Sequence, residues 1–264
     1  MLPLKSVLLA LVVCTTAAHA AECPRKDALG TSRVLAVDPQ TTPRVGLKSF
    51  PQTLPLADKE VVLTFDDGPF PPTTSKVLTA LAAECVQATF FLIGKSAEAN
   101  PVMVRRIAAE GHSIGHHTWS HRILDRISER EAIEEIDRGF AADETALHGK
   151  VSSTLSTPFF RFPGFASTPA LLANLQSRGI AVFGADLWAS DWNPMTPEQQ
   201  LKLLTERLDN AGGGIILLHD TKVQTAKMLP AFLQYLKRND YKVVHIVATQ
   251  TAKSPVTTGS SLRN

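Results

Sequence analysis

The sequence predicts an α/β fold, a closed or nearly closed (β/α) barrel of about seven parallel strands in a single, TIM-barrel-like domain. Short apolar segments alternate with amphipathic helical segments over residues 61–248, as in parallel strands joined by helices. The chain has 264 residues, of which 44% are hydrophobic, and this is enough for one sizeable core. The sequence contains no glycine-rich dinucleotide fingerprint, which favours a barrel over a doubly wound sheet.

Residues 1–20 have the features of a secretory signal. Lys5 precedes an apolar run over residues 7–13, and Ala18-His19-Ala20 provides a small-residue cleavage site. An uncleaved membrane anchor is the alternative, although the apolar run is short for a membrane span. We therefore expect an exported protein, in the periplasm, secreted or in the cell envelope, with no membrane span once the signal has been cleaved.

Two further segments are predicted to lie outside the folded domain. Residues 21–60 are rich in Pro, Thr and Lys, and we expect an extended N-terminal arm wrapped on the outside of the domain. Residues 249–264 are mostly Ser, Thr and Lys, a composition typical of a disordered tail. In an oxidising compartment Cys23 and Cys85 are candidates for a disulfide, and a reduced, buried Cys85 is the alternative.

Seven short apolar segments bounded by turn-forming residues are the predicted strands. They are residues 61–65, 88–93, 113–116, 159–162, 181–184, 214–218 and 242–246. Three of the helices between them have recognisable start and stop signals. These helices run from Asn100-Pro101 to Gly111, from Ser128 with its capping partner Glu131 to Gly149, and from Thr196-Pro197 to the glycines at 212–214.

Ionisable side chains collect where these predicted strands end. They are Asp66, Asp67, His116, His117, Arg161, Asp186, Asp191, His219 and Asp220. Functional residues of such barrels lie at the C-terminal ends of the strands, and these ends meet at one rim. The formal net charge of +2 gives no strong attraction to nucleic acid or to an anionic membrane. We therefore expect a hydrolytic metal site at the rim.

Two adjacent carboxylates, Asp66 and Asp67, end the first of these strands. Like charges this close resist joint ionisation unless a cation or an arginine compensates them. A simple turn cap before Gly68-Pro69 is the structural alternative for the pair. The rest of the chain favours the functional interpretation, because it supplies suitable partners for both carboxylates.

Four histidines are candidates for metal ligands. The spacing of His117 and His121 brings two imidazoles within reach of one cation, and imidazoles together with a carboxylate are ordinary ligands of a catalytic zinc ion. His112 and His116 have the same spacing. We discount His112 because it lies at the opposite end of its short strand. His116 alternates to the other strand face from His117, and we expect it to pack in the core.

Five motifs occur in the order seen in the polysaccharide deacetylases, the NodB-homology or carbohydrate esterase family 4 enzymes. The motifs are TFDDGP at 64–69, HTWSH at 117–121, RFPG at 161–164, DW at 191–192 and LLHD at 217–220. The chain resembles this family over about residues 61–246. The resemblance implies a distorted (β/α) barrel and a divalent metal, usually Zn²⁺, bound by Asp67, His117 and His121.

The resemblance also implies catalytic roles for Asp66 as general base and His219 as general acid. Charge pairing with Arg161 is expected to hold Asp66 ionised, and Asp191 is expected to keep His219 protonated. A rim salt bridge is the alternative for Arg161. A helix or turn cap is the alternative for Asp191, and Asp186 is the alternative residue for its role.

The substrate-binding wall is predicted from Pro163, Gly164, Trp192 and Leu217. By family analogy Trp192 and Leu217 line the pocket for the acetyl methyl group, although either could belong to the core. Trp188 is either a platform for sugar stacking or a packing residue. Asp220, next to His219, is expected to orient its loop.

Two departures from the family pattern affect the same wall. The arginine is followed by Phe162-Pro163-Gly164, where the family usually has two prolines and an aromatic residue. Trp188 occupies the place of an aspartate that often stands three residues before the Asp-Trp motif, and Asp186 lies two residues earlier. These changes leave the expected metal ligands and the acid–base pair intact, and they bear on which sugar is bound.

The sequence therefore predicts an exported, monomeric, metal-dependent enzyme that removes acetyl groups from N-acetylamino sugars of a polysaccharide or oligosaccharide. Peptidoglycan, chitin-like polymers and poly-N-acetylglucosamine are the candidate substrates, and no nucleic-acid partner is expected. An O-acetyl esterase acting on a polymer such as acetylated xylan is one alternative, because the same residues serve an ester or an amide. An exported carbohydrate-binding pseudoenzyme is the other.

Overall fold

The computed structural model describes residue 23, residues 25–150, residue 152 and residues 155–249. The expected signal sequence and residues 250–264 of the expected tail lie outside the described residues. In the described part, no helix combines the length and the apolar character needed to cross a bilayer.

The described chain alternates strands and helices from end to end. The strands are β1 (Thr31–Val37), β2 (Arg44–Val45), β3 (Glu60–Asp66), β4 (Thr89–Leu92), β5 (Ser113–His116), β6 (Phe159–Phe160), β7 (Ala181–Phe183), β8 (Leu187–Trp188), β9 (Gly214–His219) and β10 (Lys242–Ala248). The helices are α1 (Pro71–Ala83), α2 (Gly94–Ala99), α3 (Pro101–Ala109), α4 (Glu129–His148), α5 (Pro169–Ser177), α6 (Pro197–Ala211) and α7 (Val223–Arg238). Two short 3₁₀ turns cover Leu124–Arg126 and Pro163–Phe165.

The strands form one parallel sheet that curves into a distorted barrel. From β3 the order runs through β4, β5, β6 and β7 in one direction and through β9 and β8 in the other. Residues 184–186 connect β7 directly to β8, so the chain itself links the two ends of the sheet. This confirms the predicted fold class. Because the strands are parallel, their C-terminal ends meet at one rim.

All seven predicted strands are present, and the start signals of α4 and α6 are confirmed. Asn100 is the N-cap residue of α3, but its side chain makes no capping hydrogen bond. Helix α4 begins after a capping box of Ser128 and Glu131 and ends at Gly149, whose φ of 71° is left-handed. Helix α6 has a capping box as well, from Thr196 and Gln199. These side chains satisfy backbone N–H groups that have no partner inside the helix.

The expected arm over residues 21–60 needs correction. The segment does not only wrap the outside of the domain, because β1 pairs with β10 and β2 pairs with β7 inside the sheet. Val37 and Val45 are buried in the same core cluster as Phe183 of β7. Burial of apolar side chains stabilises such short strands, which are too short to persist alone.

The structure also joins the beginning of the described chain to the first helix. Cys23 and Cys85 form a disulfide, and Cys85 lies just after α1. The alternative of a reduced, buried Cys85 is therefore wrong. Arg25 strengthens the same attachment by donating a hydrogen bond to the carbonyl oxygen of Ala83 at 2.7 Å.

The apolar core has a layer outside the barrel and another inside it. The outer layer packs α1, α6 and α7 against the sheet and includes Phe65, Leu78 and Phe232. The inner layer includes Phe91 and Phe159. The centres of their rings lie 5.7 Å and 4.8 Å, respectively, from the centre of the Phe183 ring. This filled interior leaves the rim as the place where polar side chains reach solvent.

Candidate active site

Strand β3 delivers Asp66 and Asp67 to the rim. Every residue of β3 is buried, including Asp66, which is 3% exposed. In the parallel register Asp66 is the partner of His219, the last residue of β9. Asp67 leaves the strand with a φ of 76°, which is uncommon for a residue with a side chain, and its carboxylate turns toward the rim histidines. The two aspartates therefore have different surroundings although they are neighbours.

Arg161 forms a buried salt bridge with Asp66. Its side chain is fully buried, and one terminal nitrogen donates to Asp66 Oδ1 at 2.7 Å and to Thr64 Oγ1 at 2.8 Å. The other nitrogens donate to the carbonyl oxygens of Phe183 and Gly184. These bonds hold the guanidinium in one orientation, as a buried charge requires.

The charge balance at Asp66 differs from the expectation that Arg161 holds its pKa low. Burial raises the pKa of Asp66 above its ordinary value, and the Arg161 charge opposes this only in part. A carboxylate with a raised pKa is a stronger proton acceptor than an ordinary one. The raised pKa therefore suits the predicted role as a base.

Three ligand atoms form a possible metal site next to Asp66. Asp67 Oδ1 lies 3.6 Å from His117 Nε2 and 3.3 Å from His121 Nε2, and all three lie within 4.8 Å of one another. His117 Nδ1 donates to the carbonyl oxygen of Arg161 at 2.7 Å, which leaves the Nε2 lone pair free. Burial lowers the pKa of His117 to about 3, so the imidazole is neutral as a ligand must be.

One ligand atom of this group has no hydrogen-bond partner in the part of the chain that the structure describes, and this also fits a bound cation. Asp67 Oδ1 is buried and, among the described residues, has no hydrogen-bond partner. A buried oxygen without a partner is costly unless another group compensates it. One carboxylate and two imidazoles are a common ligand set for a catalytic zinc ion. The residues present therefore fit the metal that the sequence predicts.

The loop that carries the two histidines is held by α2 and α4. Gly94 donates its backbone N–H to Thr118 at 2.9 Å, and Trp119 donates to the carbonyl oxygen of Glu135 at 2.9 Å. A Cβ at Gly139 of α4 would lie 2.6 Å from the carbonyl carbon of Thr118. Thr118 and His121 both have a positive φ, so the surrounding contacts maintain a conformation that the loop would not adopt alone.

The other two histidines lie away from this group, as expected. His116 is fully buried, and its Nδ1 lies 2.7 Å from Asp143 Oδ2 behind the strand. His112 accepts a hydrogen bond from the backbone N–H of Ala88 at the start of β4. Burial lowers the pKa of His116 to about 4 and that of His112 to about 3.

His219 lies next to the possible metal site and is paired with Asp191. His219 Nδ1 lies 2.7 Å from Asp191 Oδ1, and Asp191 Oδ2 accepts from the backbone N–H of His219 and from Thr225 Oγ1. Burial alone would lower the pKa of His219, but the hydrogen bond and charge of Asp191 raise it to about 9. His219 Nε2 lies 3.9 Å from Asp67 Oδ2. A protonated imidazole therefore faces the cavity.

Asp186, the alternative to Asp191, has a different position. Its carboxylate accepts hydrogen bonds from the backbone N–H groups of Leu47 and Ile215 and from the hydroxyl of Thr53. Asp186 thus fixes the segment after β2 to the barrel. Asp220 is also structural here, because it is buried and accepts from Thr74 Oγ1 of α1 at 2.5 Å.

A cavity of about 370 Å³ opens in front of these groups. It is lined by Lys48, Asp66, Asp67, His117, His121, Phe162, Gly164, Phe165, Trp188, Trp192, Leu217, His219 and Lys222. Three of the four predicted wall residues, Gly164, Trp192 and Leu217, are among them. The fourth, Pro163, is buried and does not line the cavity.

Lys48 and Lys222 line the cavity without having been identified from the sequence. Lys48 follows β2 in the segment interpreted as an external arm, so no local signal could have located it. Lys222 follows the LLHD motif by two residues, and this proximity was the available signal. The ring of Trp188 already contacts two cationic side chains, which limits the ring surface available for stacking on a sugar. Lys48 Nζ lies 5.0 Å and the Arg207 guanidinium 5.2 Å from the centre of the ring.

Comparisons with known proteins support the same family as the motifs. The family model described as polysaccharide deacetylase matches residues 54–183. The chain is 29% identical over 204 residues to the peptidoglycan-N-acetylmuramic acid deacetylase PdaC of Bacillus subtilis, covering 76% of this chain and 41% of that protein. It is 30% identical over 203 residues to a peptidoglycan-N-acetylglucosamine deacetylase of Bacillus cereus, covering 73% of this chain and 89% of that protein.

A solved structure has the same fold over most of the chain. The Bdellovibrio bacteriovorus peptidoglycan deacetylase Bd3279 superposes with a TM-score of 0.74 and 29% identity, over 90% of this chain and 66% of that one. The sequence match includes the strand that carries Asp66 and Asp67 and the loop that carries His117 and His121. On these grounds the chain belongs to the polysaccharide deacetylase family.

Proposed function

We propose that this protein is a metal-dependent deacetylase of N-acetylated glycans. One observation carries the proposal: a buried carboxylate, Asp66, and the imidazole of His219, which is paired with Asp191, line the same cavity as three side chains that could hold a metal ion. Hydrolysis of an amide needs a proton acceptor for the attacking water and a proton donor for the leaving amine. The cavity contains one candidate for each role.

Asp67, His117 and His121 would hold the divalent ion, and we propose Zn²⁺. When bound, the ion would supply Lewis-acid polarisation of the acetyl carbonyl and would make water a better nucleophile. His117 is prepared for this role by its hydrogen bond to the Arg161 carbonyl oxygen, which fixes the ring and its tautomer.

Asp66 would accept the proton from water as the water oxygen bonds to the acetyl carbon. The raised pKa supports this role, and Arg161 keeps the carboxylate oriented through Oδ1. The second oxygen, Oδ2, lies 3.8 Å from His117 Nε2 and faces the ligand group. Asp66 is thus free to act as a base because its neighbour Asp67 serves the metal.

His219 would donate its Nε2 proton to the sugar nitrogen as the carbon–nitrogen bond breaks. The immediate products are a free amine and acetic acid, which keeps one hydrogen of the water while Asp66 holds the other. Ionisation of the acid to acetate, loss of the Asp66 proton and reprotonation of His219 through solvent restore the site. Asp191 maintains the protonated form of His219 and fixes the ring through Nδ1. Trp192 lies 5.9 Å from the His219 ring and, with Leu217, would contact the acetyl methyl group.

We propose peptidoglycan as the substrate class and an exported location. The relatives from Bacillus subtilis and Bacillus cereus are named as peptidoglycan deacetylases, and the disulfide between Cys23 and Cys85 is typical of an oxidising compartment. The chain spans 41% of the length of the first of these relatives, so substrate and activity are proposed for this chain on its own residues.

Acetate release by the purified protein tests this function. The substrates are peptidoglycan, N-acetylchitooligosaccharides, poly-N-acetylglucosamine and acetylxylan, and a parallel assay for free amine separates amide from ester hydrolysis. We expect equal amounts of acetate and amine from an N-acetylated glycan, loss of both after chelation, and recovery with zinc. Acetate release from acetylxylan alone would show that the protein is an O-acetyl esterase and not an N-deacetylase. Activity that resists chelation would contradict the metal requirement.

A further inference from the structure

We propose that Lys48 and Lys222 form a cationic rim that binds a carboxylate on the glycan, so that the enzyme selects acidic N-acetylated glycans over neutral ones. The inference rests on the proposed function and concerns the substrate class of the same site. Both lysines line the cavity that contains Asp66 and His219. A substrate seated there would bring its neighbouring groups to these two ammonium groups.

Neither lysine has an ion-pair partner among the described residues. Within the described residues, no carboxylate oxygen lies within 4.0 Å of Lys48 Nζ or Lys222 Nζ, whereas Lys202 on α6 pairs with Glu206. Of the acidic residues at the site, Asp67 is assigned to the proposed metal ion, and the other two have partners in the protein. Arg161 compensates Asp66, and His219 compensates Asp191. The two lysines therefore add an uncompensated positive charge to the cavity wall.

Lys48 is held in place by a dedicated set of contacts. The preceding residue Leu47 donates its N–H to Asp186 Oδ1 at 2.8 Å, and Lys48 donates its own N–H to the carbonyl oxygen of Ala185 at 2.8 Å. The ammonium group lies 5.0 Å from the centre of the Trp188 ring, a favourable arrangement for a cation. Asp186 and Trp188, two residues at which the sequence departs from the family pattern, thus position Lys48 at the cavity.

Lys222 occupies a helix N-terminus, a position that is unfavourable for a lysine. It is the N-cap of α7, where its side chain makes no capping hydrogen bond, and the first turn of α7 has no acidic residue. The positive end of the helix dipole favours anions at this position and disfavours a lysine. Residues that break such rules are found at functional sites, where a ligand offsets the cost. An anion bound between Lys222 and the helix terminus would do so.

Recognition of a neutral sugar polymer does not require the positive charges of Lys48 and Lys222. Hydroxyl and acetamido groups are recognised by hydrogen bonds and aromatic contact, which Trp192 and Phe165 already offer in the cavity. A carboxylate, in contrast, gains a charge-assisted hydrogen bond from an ammonium group on the cavity wall. The ligand that fits the rim is therefore a carboxylate attached to the deacetylated sugar or to its neighbour, such as a lactyl ether.

The test compares two forms of one glycan. Peptide-free chains of alternating N-acetylglucosamine and N-acetylmuramic acid are used with free carboxylates and after conversion of the carboxylates to methylamides. We expect kcat/KM for acetate release to be about tenfold higher for the acidic form, the effect of one or two charge-assisted contacts. In K48Q/K222Q this ratio should fall to about one, and K48R/K222R should retain most of it. K202Q, an exposed lysine elsewhere, is the matched control.

Two outcomes would overturn the inference. One is equal kcat/KM for the two forms with the wild-type protein, and the other is an unchanged ratio in K48Q/K222Q. Failure of the proposed function is seen separately, as absence of acetate release from both forms and from neutral N-acetylchitotetraose. In that case calorimetric titration of the two glycan forms decides the inference, because equal affinities would contradict a carboxylate site whether or not turnover occurs.

Discussion

Asp66 and His219 are paired residues at the ends of neighbouring parallel strands, β3 and β9. The register places the proposed base and the proposed acid side by side on one rim, and the turn after β3 sets Asp67 between them and the two ligand histidines. Each partner also has its own tuning residue, Arg161 for Asp66 and Asp191 for His219.

Replacing His121 should weaken metal binding without unfolding the protein. The side chain of His121 is 37% exposed, so His121→Ala leaves no large cavity in the core. Loss of one of three ligands should lower zinc affinity by more than about tenfold. Competition with a fluorescent chelator measures this, with His148→Ala, another exposed histidine, as control. Unchanged affinity in His121→Ala would remove His121 from the ligand set.

Gly139→Ala should disturb the ligand loop although alanine usually favours helices. A Cβ at this position meets the backbone of Thr118 at 2.6 Å, and backbone cannot move aside cheaply. We expect a loss of about 1–3 kcal/mol in the free energy of unfolding together with weaker zinc binding. Chemical denaturation and zinc competition check both effects. A stabilised variant would show that α4 does not hold the loop in the way we describe.

The pKa of His219 should depend on Asp191. In the metal-free protein NMR titration should give a His219 pKa of about 9, above the ordinary 6.5, and Asp191→Asn should lower it. A proton donor is lost as the pH rises through its pKa, so the variant should lose activity at a lower pH than the wild type. Since the pKa is raised on folding, this pair stabilises the protein fully below pH 6.5 and loses that effect toward pH 9. A pKa that Asp191→Asn leaves unchanged would contradict the pairing.

Buried neutral histidines should make the protein sensitive to mild acid. Burial lowers the pKa of His245 to about 4, so the unfolded state binds more protons between about pH 4 and 6.5. Stability is therefore present above pH 6.5 and falls as the pH decreases through this window. Replacing His245 by Gln should remove about 2 kcal/mol of the difference between pH 7 and pH 5. Urea denaturation at the two pH values measures this, and an unchanged difference would contradict it.

Much of the fold and of the site could be predicted because the signals were local. Seven strands, the capping boxes of α4 and α6, and the strand-end residues all depend on short stretches of chain. The positions of β1 and β2 could not be predicted, because their pairing with β10 and β7 depends on contacts distant in sequence. Lys48 was missed for the same reason, since Asp186 and Trp188 bring it to the cavity from more than a hundred residues away. The raised pKa of Asp66 depends on burial, which charge pairing alone did not anticipate.

The most direct test of the account separates metal binding from proton transfer at Asp66. Asp66→Asn keeps the size of the side chain and the three ligands but removes the proton acceptor. Zinc content and acetate release are measured on the same samples of the variant and the wild type. We predict equal zinc and a decrease in kcat of at least about a hundredfold, the usual contribution of a general base. Equal zinc with wild-type turnover would contradict the assignment of Asp66 as the base.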